Sequence, residues 1–123
     1  MLLSEYISSP YDLGDYTVQM VWEKTKDWMS WKEYRVKALD GIFNNYYKVL
    51  SPMKMIDIKT ENLQMLFDNC NKSVSTKNEL KVIARALFKY ALANDIVKKD
   101  YSEFITITDD TKKKETSYEN VNI

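Results

Sequence analysis

Apolar residues recur at helical intervals along most of this chain. Thr17 is placed to cap a first helix that runs to about Trp28, with Val18, Val21, Trp22 and Thr25 on one face and Met29 a turn further on. Leu39, Ile42, Phe43, Tyr46, Tyr47 and Leu50 follow at i, i+3, i+4, i+7, i+8 and i+11, the pattern of a second amphipathic helix. Two starts fit it: Ser30, because Ser30-x-x-Glu33 has the form of a capping box, or Arg35 to Val36, with 29–34 as a linker. Gly41 in its interior costs about 1 kcal/mol relative to alanine, so a close helix–helix contact is expected there. Ser51-Pro52 is its expected end.

A short extended stretch, Met53 to Ile58, should lead to a third helix capped at Thr60, with Leu63, Leu66 and Phe67 buried and Cys70 near its end as a half-buried structural thiol. In the fourth helix Thr76-x-x-Glu79 reads as a capping box, preceded by Ser73 and Ser75. Leu80, Ile83, Ala84, Leu87, Phe88 and Ala91 form its apolar stripe, and Asn94-Asp95 ends it. Ile96 and Val97 should fold back on the core before a short turn around Tyr101 to Ile105. From 109 to 122 the chain reads as a polar tail or linker. The expected fold is all-α, a bundle of four helices.

Composition agrees with helices: two glycines and two prolines among 123 residues leave little punctuation for a many-stranded sheet. It also narrows the chemistry. Without histidine no Ser-His-Asp triad, Cys-His pair or HExxH zinc helix can be built. One cysteine cannot make an internal disulfide or a thiolate zinc site, which fits a reducing cytoplasm. Asp57, Glu61 and Asp68 are too dispersed for a carboxylate pair, so no cofactor or metal is expected. No run of about 18 apolar residues or secretory leader is evident, and no membrane association is expected.

Lys+Arg and Asp+Glu both number 18, but the charge is sorted. Residues 72–99 hold seven positive and two negative charges, whereas 1–31 hold two positive and five negative, and 100–123 three positive and six negative. On the fourth helix Lys77, Lys81, Arg85 and Lys89 recur every four residues, a band that winds about 40° per step and should flank the apolar face without overlapping it. The helix start, with Ser75 and Thr76, adds free N–H groups and a partial positive charge suited to phosphate. Two readings fit the band: a solvated face, or an element laid on a nucleic-acid backbone. The scarcity of acidic partners at i±4 weighs against the first. Lys32, Arg35 and Lys37 supply a second patch of unknown facing. Trp22, Trp28, Phe43, Tyr46, Phe67 and Phe88 sit at core spacing, while Tyr11, Trp31 and Tyr34 are less constrained.

The stretch LSPMKMIDIKTENLQMLFDNCNKSVSTKNELKVIARALFKYALANDIVKKDYSEFI, Leu50 to Ile105, resembles the core-binding domain of tyrosine recombinases, the phage and integrative-element integrases, most of all the type common in Gram-positive bacteria. The matching features are Asp57-Ile58 followed by Leu63-Gln64, Ser-Thr-Lys at 75–77, LFKYA at 87–91 and NDIVKKDYSEFI at 94–105. YDLGDYTVQMVWEK resembles the approach to that domain's first helix. The 29–37 region lacks the proline and Ser/Thr run of the family.

The resemblance implies a SAM-like four-helix bundle over 16–107, after a lead-in at 1–15 and before a linker at 108–123 to a catalytic domain. It implies that the chain is an excised or truncated part of a recombinase acting in a bacterial cytoplasm, with the arm-binding and catalytic domains of the same parent as partners. It implies no catalysis in this chain, since the family's Arg, Lys, H-x-x-R and Tyr belong to the following domain. The bundle would clamp the duplex core of an attachment site, with Ser75, Thr76, Lys77, Lys81 and Arg85 at the DNA and Arg35 and Lys37 beside them. Lys89 continues the same band. The competing expectation is a stand-alone helical protein-interaction module, for which exposed apolar anchors would be the mark.

Overall fold

The computed structural model describes residues 13–107; the expected tail, the start of the lead-in and Tyr11 lie outside the described residues. It is an all-α bundle of four helices: α1 (Val18–Trp28), α2 (Glu33–Tyr46), α3 (Thr60–Asp68) and α4 (Val74–Ala93), with short 3-10 turns at Leu13–Asp15, Met55–Asp57 and Tyr101–Phe104. The 20-residue α4 is the spine, packed against α1, α2, α3 and the Tyr101–Phe104 turn. Among the described residues no strand forms, and one isolated bridge joins Thr17 to Lys54.

The apolar periodicities translate directly into burial. Leu80, Ile83, Ala84, Leu87, Phe88 and Ala91 of α4 meet Val18, Val21 and Trp22 of α1, Leu39 and Phe43 of α2, and Leu63, Leu66 and Phe67 of α3 in one core. Trp22 stacks on Phe43 at 5.0 Å and Phe43 on Tyr47 at 5.2 Å, both nearly parallel. Such pairs add about 0.5–1.5 kcal/mol beyond area burial. Thr17 caps α1 as expected, its Oγ1 accepting from the Met20 N–H at 3.2 Å. Cys70 is buried more fully than expected, at 6% exposure.

The helix ends depart from the sequence reading in several places. α2 starts at Glu33 behind Lys32, with no side-chain cap, so neither expected start holds. Glu33 reaches forward to Lys37 at 3.6 Å, on the exposed face, instead of back to Ser30. α2 also ends at Tyr46, five residues before Ser51. The chain then turns, Leu50 and Ser51 donating to the Tyr47 carbonyl, and this turn keeps Tyr47 and Leu50 in the core without helix. The spacing of buried positions therefore outlasts the helix itself. Gly41 marks no close contact: it is exposed, and a Cβ there would meet nothing within 4 Å.

Thr60 is the first residue of α3, not its cap. Its hydroxyl donates to the Tyr101 carbonyl at 2.8 Å, while the Asn62 side chain accepts from the Lys59 N–H. The stretch from Met53 to Ile58 is interrupted by a 3-10 turn. α4 starts at Val74 after Ser73, so Thr76 and Glu79 form no capping box; Glu79 is taken by α2. Trp28 is 43% exposed, its ring edge-on to Tyr90 at 5.3 Å, because it ends α1 beyond the core stripe.

At the other end of α4, Asn94 caps and Asp95 adopts φ 59°, the left-handed conformation. Ile96 N–H then bonds the Ala91 carbonyl at 2.8 Å and Asp95 N–H the Leu92 carbonyl at 3.2 Å, a Schellman arrangement. It turns Ile96 and Val97 into the core, as expected.

Candidate functional site

The four cations of the α4 band have different fates, and helix geometry explains them. Seven residues are about 20° short of two turns, so Lys77 points almost with Ala84, into the buried stripe. Each later member is rotated by about 40° more. Lys77 is accordingly buried at 6%, Lys81 is half-buried, and Arg85 and Lys89 are exposed. The expectation that the band does not overlap the apolar face fails at Lys77, whose stem packs within the bundle. Lys81 Nζ donates to the Ile105 carbonyl at 3.4 Å, tying the segment after the Tyr101–Phe104 turn to α4.

Arg85 and Lys89 line an open groove of about 620 Å³, walled by Met29, Trp31, Val82 and Leu92 and bounded by Asp100. The Asp100 Oδ1 is engaged by the N–H and hydroxyl of Ser102. Among the described residues, no carboxylate lies within ion-pair distance of Arg85 or Lys89. The only carboxylate on α4 is Glu79. It receives both terminal nitrogens of Arg35 from α2, one bond at 3.0 Å and one shorter. That forked pair ties α4 to α2, and because Glu79 lies six residues before Arg85 and ten before Lys89, outside i±4 reach, the exposed part of the band has no acidic partner on its own helix.

The same pair decides the second patch. Arg35 lies beside α4, but its guanidinium is occupied by Glu79, whose carboxylate accepts its hydrogen bonds and holds it firmly protonated. Lys37 is on the outer face with Glu33. Ser75 is exposed and Thr76 half-buried in the first turn of α4, close to its unsatisfied N–H groups. The structure thus brings together Arg85 and Lys89 beside Trp31, with Lys81 at the edge, and leaves Arg35 and Lys37 compensated.

Sequence reasoning missed a second basic cluster, formed by Lys59, Lys98 and Lys99 around Tyr101. Its signal was the Lys98-Lys99 pair at the end of the basic stretch 72–99, but Lys59 lies 39 positions before Lys98 and only the fold joins them. Among the described residues no group of His, Cys, Asp and Glu could hold a metal, and no helix is long and apolar enough to cross a membrane. No protein-family model, curated protein or solved structure matches this chain.

Proposed function

We propose that this chain is a non-catalytic DNA-binding domain of the tyrosine recombinase type, holding the duplex core of an attachment site through backbone contacts for a catalytic domain elsewhere in the same parent protein. The observation that carries the reading is the uncompensated Arg85–Lys89 edge of α4. Two exposed cations one helical turn apart border a groove, and the one carboxylate of their helix lies out of their i±4 reach and is bonded to Arg35. Phosphate contacts of this kind fix register and supply salt-dependent affinity without requiring base readout. Lys81 lies about 40° and Ser75 about 80° around the helix from Arg85, whereas Thr76 lies about 180° away and could join only through the free N–H end of α4. The integrase resemblance between Leu50 and Ile105 supports the specific family and, with it, a bacterial cytoplasmic setting.

The test is fluorescence anisotropy on a mixed-sequence duplex across a salt series. Binding should be weak and steeply salt-dependent. Arg85→Glu with Lys89→Glu should weaken it by about tenfold or more, with thermal stability preserved because both side chains are exposed. Absence of binding at low salt, or binding indifferent to both reversals, overturns the reading. A stable self-associated species without DNA binding would favour a protein-interaction module instead.

A further inference from the structure

We propose that Lys59, Lys98 and Lys99 form a second phosphate-contact patch for the same duplex, so that the DNA lies across the C-terminal end of α4 instead of along α4 alone. This inference rests on the DNA-binding reading above, but on a different set of residues. The Schellman turn after α4 buries Ile96 and Val97 and thereby directs Lys98 and Lys99 outward. The two lysines join Lys59, from the loop before α3, around a depression of about 280 Å³ floored by Ile96 and Val97. Lys59 Nζ lies 4.7 Å and Lys99 Nζ 5.4 Å from the centre of the Tyr101 ring, and Lys99 is also 5.7 Å from that of Phe104.

Two ammonium groups therefore share one aromatic ring, while Asp57, Asp100 and Glu103 on the neighbouring segments make no ion pair with them. Ring contact offsets part of the repulsion between like charges but neutralises none of it. A phosphate oxygen would. The platform is held in place: Thr60 donates to the Tyr101 carbonyl, Asp100 caps the turn, and Ser102 beneath it is fully buried. Lys59 Nζ is further oriented by a 3.0 Å bond to the Ile56 carbonyl. Asp100 borders the Arg85–Lys89 groove, and its neighbours Lys99 and Tyr101 line this depression, so the two basic surfaces adjoin. One phosphate backbone can reach from one to the other.

The experiment measures affinity of the full chain for a mixed-sequence duplex against salt concentration. It compares Lys98→Gln/Lys99→Gln, Arg85→Gln/Lys89→Gln and Lys48→Gln, the last a control on the exposed turn after α2. The first pair should lower the slope of log affinity against log salt by roughly 2 and weaken binding at least about tenfold at 0.1 M salt, with the melting temperature unchanged. Lys48→Gln should leave the slope as it was. A normal slope in Lys98→Gln/Lys99→Gln, beside a reduced one in Arg85→Gln/Lys89→Gln, overturns the second patch and leaves the α4 reading standing. A slope reduction of roughly 1 in the single-charge Lys48 control, half that of the pair, overturns it too, because the effect would then be one of total charge. No DNA binding by the unaltered chain overturns both.

Discussion

The cations on α1 and α2 and those on the later part of α4 belong to the same residue types but meet different partners. Lys26 of α1 bonds Asp40 of α2 at 2.9 Å and pairs with Glu23 at 3.0 Å. Asp40 also accepts from the Nε1–H of fully buried Trp22 at 2.9 Å. Arg35 is forked onto Glu79, and Lys37 is paired with Glu33. Lys26 and Arg35 thereby join helices, whereas the exposed Lys37–Glu33 pair adds little. Arg85, Lys89, Lys98 and Lys99 have no such carboxylate among the described residues; Lys99 alone of the four has a charge-dependent packing contact, over the Tyr101 and Phe104 rings. Unneutralised cations repel one another and contribute little to stability. The division teaches where to look for function: charge that the fold does not use is available to a ligand.

The division can be broken most forcefully at Asp40. Asp40→Ala removes the acceptor of a buried indole N–H and one partner of Lys26, and should cost about 1–3 kcal/mol of stability by denaturant unfolding. DNA affinity at a temperature where the variant is folded should not change. A loss of affinity in the folded variant would show that the α1–α2 seam also shapes the binding face. The same carboxyl gives a pH test. Burial opposes its ionisation, but hydrogen bonds from Lys26 and Trp22 outweigh that, and its pKa lies below the ordinary aspartate value. Its stabilisation is therefore complete above the ordinary value and lost as pH falls through the lowered one. Asp40→Asn should flatten the acid limb of a stability–pH curve.

A smaller effect is expected at the junction of the two regions. Glu79→Gln releases Arg35 and removes the one negative charge of α4. Stability should fall by about 1 kcal/mol, since the pair is partly exposed. Duplex affinity at low salt should instead rise by roughly two- to fivefold. A fall in affinity with the fold intact would mean that the forked pair positions α4 instead of withholding a charge from it. The smallest effect belongs to Gly41→Ala, on the outer face of α2. With nothing near its Cβ, the variant should gain about 0.5–1 kcal/mol from helix propensity and leave DNA binding alone. A destabilised variant would reveal a contact at that face.

The four helices, the buried stripe of α4 and the return of Ile96 and Val97 were legible because periodic burial is written locally, in runs of ten to twenty residues. The ends of the helices were less so. Glu33 and Glu79 each satisfied a capping motif on paper, yet α2 starts at Glu33 itself and α4 at Val74, so neither glutamate sits three residues past a cap; Glu33 pairs loosely with Lys37, and Glu79 takes Arg35 from another helix. Gly41 misled for a related reason: a glycine inside a helix signals close packing only when something packs there.

The candidate site was half legible. Spacing alone set the winding of Lys77, Lys81, Arg85 and Lys89, and that winding turned out to grade their exposure from buried to open. By itself, then, the chain determined an all-α fold, a core and a basic band, because these depend on intervals along one helix. Which cations stay uncompensated was decided only in three dimensions. Arg35 and Glu79 lie 44 residues apart and Lys59 and Tyr101 lie 42 apart, so no local pattern could show that the first pair spends a charge and the second gathers one.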